Sequence, residues 1–143
     1  MEPLLSAQDI SEDLLERTGA GLMTGDFPSF LRCFHVPCFV ETFQGKRFLN
    51  SKHDIQNVFD NVRDYYRAHG VTELVRECIS AEYKALDTIY NTHITRLLKQ
   101  NEVVFRRPFP VFSILRKFDD GWKVTYSQYA IDDAPKHNKA LSG

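Results

Sequence analysis

The stretch that decides the fold runs Ser51-Lys52-His53-Asp54-Ile55-Gln56-Asn57-Val58-Phe59-Asp60-Asn61-Val62-Arg63-Asp64-Tyr65-Tyr66-Arg67-Ala68-His69-Gly70 and continues Val71-Thr72-Glu73-Leu74-Val75-Arg76. In its first part Ile55, Val58, Phe59, Val62, Tyr65, Tyr66 and His69 recur at spacings of three and four, the period of one helix face. Ser51 and Asp54 form a capping pair at the start, and Gly70 is suited to close the C-terminal end. Gln56, Asn57, Asp60, Asn61, Arg63, Asp64 and Arg67 occupy the opposite face. After Gly70 the period drops to two. A long amphipathic helix therefore hands over directly to strands.

Working downstream, the alternation predicts four strand-like runs, at about Val71–Lys84, Thr88–Lys99, Val103–Phe118 and Trp122–Ile131. The breaks Ala85-Leu86-Asp87, Gln100-Asn101-Glu102 and Asp119-Asp120-Gly121 are short, so neighbouring runs pair antiparallel. Pro108 and Pro110 cannot donate to a ladder, which predicts a bulge, bend or edge in the third run. Upstream, Ser6 and Asp9 open a first helix carrying Ile10, Leu14, Leu15, Thr18, Leu22 and Met23 on one face. Gly19, Gly21 and Gly25 either weaken its end or permit close approach to a neighbour. Asp26 caps a short second helix with Pro28 in its first turn. A hairpin follows, from Cys38–Phe43 through Gln44-Gly45-Lys46 to Arg47-Phe48-Leu49. The polar segment from residue 133 to 143 reads as a mobile tail, leaving residues 1–132 as a single domain. Helices segregated from strands give the α+β class. The expected architecture is a curved, mainly antiparallel sheet wrapped around the long helix, with the two N-terminal helices completing a cone around an internal pocket.

Composition narrows the function. The chain has 143 residues, a formal net charge of −1, 26% charged and 43% hydrophobic residues. One domain of this size builds a core without disulfides. Near-neutral charge argues against a nucleic-acid partner. Cys33, Cys38 and Cys78 form no CxxC pair, which points to reduced thiols and a cytoplasmic setting. No run approaches the ~18 apolar residues of a membrane span, so no membrane partner is expected. The five histidines make no metal-ligand spacing, and no cofactor motif is present, so neither a metal nor a cofactor is expected.

Three local motifs, taken in order, are similar to one family. Thr24-Gly25-Asp26-Phe27 resembles its junction between the first two helices. Pro37 leading into Phe39-Val40-Glu41-Thr42 resembles the entry to its first strand. Asp120-Gly121-Trp122-Lys123-Val124 resembles the hairpin before its last strand. From about Asp9 to Ile131 the chain thus resembles the nuclear transport factor 2-like superfamily, and within it the SnoaL-like branch. That resemblance implies a cone with a ligand cavity and a homodimer formed through the sheet face. It also implies a family that spans isomerases, cyclases, dehydratases and non-enzymatic binders, so fold alone does not name the activity. Many SnoaL-like relatives carry a His near the position of Gln128 and a Ser near that of Ala130; this chain departs at both.

Candidate site residues follow from the strands. Strict alternation puts Trp122, Val124, Tyr126, Gln128 and Ala130 on one face of the last strand, making Trp122, Tyr126 and Gln128 candidates for ligand binding. In the run Ile89–Arg96, one set is Ile89, Asn91, His93, Thr95 and Leu97, and the other is Tyr90, Thr92, Ile94, Arg96 and Leu98. If the first set faces inward, His93 is the best available catalytic base. If the second does, Tyr90 and Arg96 bind an anionic ligand. The strand aromatics Tyr83, Tyr90, Phe112, Trp122 and Tyr126 are expected to line the cavity, while Phe27, Phe30, Phe34, Phe59, Tyr65 and Tyr66 are expected to be packing. Val111, Ser113 and Leu115, with Thr125, Ser127 and Tyr129, are expected to form a semi-apolar dimer face. The favoured function is binding of a small apolar or weakly anionic molecule. An isomerase, cyclase or dehydratase acting on a carbonyl compound, and a protein–protein interaction module, are the alternatives.

Overall fold

The long helix α3 (Lys52–Ala68) lies at the centre of the computed structural model, which describes residues 5–132 and 134–143. The Ser51 side chain accepts from the Asp54 amide at 3.1 Å, and Gly70 sits at φ 70° just past the helix end. Ile55, Phe59, Val62 and Tyr66 are its buried stripe. Phe59 meets Phe27 edge-on at 5.2 Å and Phe30 at 5.0 Å, tying α3 to the short helix α2 (Phe27–Leu31). Because the Ser51 cap satisfies an otherwise orphaned amide, Ser51→Ala is expected to cost about 1 kcal/mol in urea denaturation.

Helix α1 (Ala7–Thr24) starts at the Ser6 cap and ends at Gly25, whose φ of 79° needs a residue without a Cβ. Its glycines serve close approach: a Cβ on Gly21 would stand 3.0 Å from the Phe30 Cβ.

The strands are β1 (Phe34–Thr42), β2 (Gly45–Leu49), β3 (Val71–Ala85), β4 (Thr88–Lys99), β5 (Val103–Val104), β6 (Phe109–Phe118) and β7 (Gly121–Tyr129). They form one mixed sheet in the order β2-β1-β7-β6-β4-β3, with β5 paired to β4. All pairs are antiparallel except β1 with β7, which is parallel. The architecture is the expected α+β cone: a curved, open sheet with the helices packed on one face. The third expected strand run is broken in two. It becomes β5 and β6, separated by a segment that contains Pro108, and Pro110 lies inside β6 opposite Ile94.

Two bulges reset which side chains face inward. Ile114 pairs with Tyr126 but Leu115 with Val124, so Thr125 is an extra residue in β7, its hydroxyl donating to the Ile114 carbonyl at 3.1 Å. In β3, Cys78 pairs with His93 and Ser80 with Thr92, so Ile79 is extra and 56% exposed. A bulge inverts the alternation beyond it.

The segment after β7 differs from the mobile tail expected there. Pro135–Ser142 form helix α4, and His137, Asn138, Ala140 and Leu141 are buried. The Asn138 amide donates to the Ile131 carbonyl at 3.1 Å, Gln44 to the Pro135 carbonyl at 2.9 Å, and Arg47 to the Ser142 and Gly143 carbonyls at 2.7 and 2.6 Å. The polar composition misleads because few apolar residues suffice when each lands on the core side. His137 is fully buried, stacked on Tyr65 at 4.7 Å and edge-on to Phe109 at 5.6 Å.

No described helix is long and apolar enough to cross a membrane.

Candidate functional site

Between the sheet, α1 and α3 lies a cavity of about 90 Å³. Its walls differ from side to side. Towards α3, β1 and β2 they are apolar: Val40, Leu49, Ile55, Val58 and Val62. Under α1 they are polar: Ser11 and Thr18 from the helix face Arg76, Asn91, His93 and Thr95 from β3 and β4. Tyr66, Tyr129, Ser113 and Ser127 add further hydroxyls to the lining, and Leu141 of α4 contributes to the wall. A cavity known to hold a single benzene ring measures roughly 150 Å³, so this smaller one suits a short-chain molecule and not a ring substrate.

The polar side is incompletely satisfied. The Asn91 Nδ2 donates to the Ser11 hydroxyl at 3.0 Å, but its Oδ1 has no partner. The Nδ1 of His93 has none either. Both residues are 4% exposed. Burial, and the positive charge of Arg76, push the His93 imidazole down to about 3, so the ring is neutral at ordinary pH. Arg76 donates through Nη2 to the Thr18 hydroxyl at 2.7 Å and to the Leu15 carbonyl. Burial also lowers its pKa, while the nearby Tyr129 and Tyr66 oppose that shift. Among the described residues no Asp or Glu lines the cavity.

The structure settles the open choice on β4. Ile89, Asn91, His93, Thr95 and Leu97 are buried, so the His93 set faces inward. Tyr90 and Arg96 therefore lie on the outer face, away from the cavity. Tyr90 packs edge-on against Phe112 at 5.4 Å, and Arg96 stands 3.8 Å from Glu77 on the surface. On β7 the Thr125 bulge overturns the strict alternation. Val124, Ser127 and Tyr129 line the cavity, whereas Tyr126 and Gln128 do not. The Tyr126 hydroxyl donates to Glu41 on the outer face, where burial and that carboxylate raise its pKa to about 12. Gln128 is exposed. Trp122 packs beside α1 against Tyr83 at 5.9 Å, outside the cavity lining.

The aromatic assignment changes in part: Phe27, Phe59 and Tyr65 pack in the core as expected, but other rings exchange places. Phe30, Phe34, Tyr66, Phe109 and Tyr129 line the cavity. The strand aromatics Tyr90, Phe112 and Tyr126 instead join Phe39 and Phe48 in a band across the outside of the sheet. Phe39 and Phe48 stand 4.9 Å apart, Phe112 and Tyr126 6.2 Å, and the Lys46 ammonium lies 4.7 Å above the Phe39 ring. Val111, Ser113, Leu115 and Ser127, expected on a dimer face, are buried inside.

Sequence reasoning missed Arg76 as a cavity residue. The signal was present: Leu74 and Cys78, two residues to either side, are apolar and share its face.

The fold places the chain among known structures. It is similar to a nuclear transport factor 2-like protein with a cystatin-like fold from Novosphingobium aromaticivorans, with a TM-score of 0.67 and 14% identity over 96% of this chain and 89% of that one. It is also similar to a ketosteroid isomerase-like protein from Erwinia carotovora atroseptica, with a TM-score of 0.61 and 13% identity over 88% and 96% of the two chains. A putative calcium/calmodulin-dependent protein kinase type II association domain from Thiobacillus denitrificans gives a TM-score of 0.65 and 15% identity over 91% and 98%. At such identities the likeness is one of fold: the chain has a nuclear transport factor 2-like, cystatin-like fold. No protein-family model and no curated protein matches the chain.

Proposed function

We propose that this protein is a SnoaL-like binding protein that holds a small, predominantly apolar or weakly anionic molecule in its cone cavity. The observation that carries this reading is the cavity's two-sided wall. An apolar half built from α3, β1 and β2 faces a polar half in which Asn91 Oδ1 and His93 Nδ1 are buried without partners. An unpaired buried polar atom costs about 1–3 kcal/mol, which a bound polar group would recover.

Binding is favoured over acid–base catalysis of the isomerase kind. A general base works best with a pKa near the operating pH. His93 is held at about 3, and among the described residues no carboxylate lines the cavity to take its place. Tyr126 and Gln128, expected to bind the ligand, lie outside the cavity.

A panel of small neutral and anionic probes, such as propanol, butanol, propionate and butyrate, tests the reading by thermal shift. A probe that enters the cavity at 100 times its Kd stabilises the fold by about 2.7 kcal/mol. If no probe raises the melting temperature, and native mass spectrometry of fresh protein shows only the bare 16.6 kDa chain, the binding reading is wrong.

The aromatic band outside the sheet supports a second proposal, a homodimer through that face. Phe39 is 37% and Phe48 45% exposed, unusual for large rings on a solvated sheet. Light scattering at micromolar concentration is expected to give twice the chain mass, and Phe39→Glu with Phe48→Glu is expected to return a monomer. A wild-type monomer at that concentration rejects the dimer.

A further inference from the structure

We propose that the molecule held in the cavity is a small monocarboxylate whose carboxylate group pairs with Arg76, its apolar body lying against α3. This inference rests on the binding reading above and names the ligand's charged group. It follows from charge and from the hydrogen-bonding capacity of three side chains.

Arg76 brings a permanent positive charge to the cavity wall. Among the described residues no carboxylate comes within 4.0 Å of its guanidinium. Its hydrogen bonds go through Nη2 alone, to neutral acceptors on α1, which leaves Nε and Nη1 without partners among the described residues. Glu12, Glu16, Glu73 and Glu77 line the open groove on the far side of Arg76, but none of them lines the cavity. Arg76 is only partly buried, and an anion entering the cavity meets there a charged donor that holds no protein counter-ion among the described residues.

The neighbouring side chains fit an acceptor group. Arg76 lies opposite Thr95 and Cys78 opposite His93, so Arg76 and His93 are diagonal neighbours on adjacent strands. Such positions are roughly 7–8 Å apart, within reach of a long side chain. The neutral His93 ring donates through Nδ1 when its proton sits there. Asn91 has two ways to bond Ser11, because a hydroxyl both donates and accepts. In one, Nδ2 donates to Ser11. A half-turn of the amide lets Ser11 donate to Oδ1 and turns Nδ2 towards the cavity. Arg76, His93 and Asn91 can thus all present N–H groups to one carboxylate. A neutral ligand satisfies His93 and Asn91 equally well but leaves Arg76 without a counter-ion. That difference selects the anion. The cavity's volume limits the apolar body to a short chain.

Isothermal titration at pH 7.5 with propionate and butyrate, against propanol and butanol, tests this. The carboxylates are expected to bind at least tenfold more tightly than the alcohols. In Arg76→Met that preference is expected to vanish while the alcohols bind as before. Arg76→Lys serves if the methionine variant does not fold; it is expected to keep a reduced preference, because it retains the charge without the planar fork. If the alcohols bind the wild type as tightly as the carboxylates, or the preference survives in Arg76→Met undiminished, the carboxylate assignment is overturned and the binding reading stands. If neither alcohols nor carboxylates bind, both fail.

Discussion

Acidifying the protein from pH 7.5 to pH 5 is expected to lower its unfolding free energy by about 4 kcal/mol, roughly half from His93 and half from His137. Both imidazoles are held down to about 3 by burial first. Arg76 adds to the effect at His93; Arg106 and His69 add to it at His137. In the unfolded chain a histidine titrates near 6.5, so that state binds more protons than the folded one throughout this window. Stability is therefore complete above about pH 6.5 and falls as the pH drops towards 3. At 1.36 kcal/mol per pH unit, each ring contributes about 2 kcal/mol of loss by pH 5. Ordinary carboxylates titrate below this window, so they do not mask the effect. Urea unfolding at half-unit pH steps measures it. His137→Phe, which keeps a ring against Tyr65 and Phe109, is expected to remove about half of the slope. Unchanged stability from pH 7.5 to 5 would show that the two rings are not buried as neutral groups.

Ending the chain at residue 132 is expected to cost about 3–5 kcal/mol, since it uncovers core that only α4 covers. Leu141 and Ala140 pack with Val62, Tyr66, Phe109 and Ile131, and His137 fills the space between Tyr65 and Phe109. The truncation also leaves Arg47 without its two carbonyl acceptors and the Ile131 carbonyl without the Asn138 amide. Because Leu141 is part of the cavity wall, the shortened protein is expected to bind cavity probes more weakly and to bind a hydrophobic dye more strongly. Denaturation midpoints and dye fluorescence check both effects. A tail that only trails in solvent would change stability by no more than about 0.5 kcal/mol when removed.

Much of the fold is legible without coordinates. The spacing of Ile55, Phe59, Val62 and Tyr66 announces the central helix, and the change of period after Gly70 announces the sheet. Ser6, Asp26 and Ser51 mark the helix starts, and each caps its helix in the structure. The short breaks between runs give the antiparallel neighbours of β3, β4, β6 and β7. The parallel pairing of β1 with β7 was not legible, because it joins segments more than 80 residues apart and no turn chemistry records it.

The site was only partly legible, and the reason is specific. Periodicity assigns residues to two sets but does not say which set is inside, and on β4 both sets carry polar groups. Packing against α1 decides it: Ser11 reaches Asn91, which brings His93 to the cavity and sends Tyr90 and Arg96 outside. A bulge is less legible still. It adds one residue to one strand, leaves composition and turn signals untouched, and inverts every assignment beyond it. Thr125 does this to Tyr126 and Gln128, and Ile79 does it along β3.

The sequence by itself determined the class of the fold, the central helix and the order of elements, because these depend on local period and on caps within a few residues. The tertiary structure alone decided what the cavity contains. Whether Arg76 and His93 share a cavity with Asn91, and whether α4 closes its wall, depends on register between strands and on docking between distant segments. Those are differences in pairing energy across the whole sheet, and no local pattern of residues carries them.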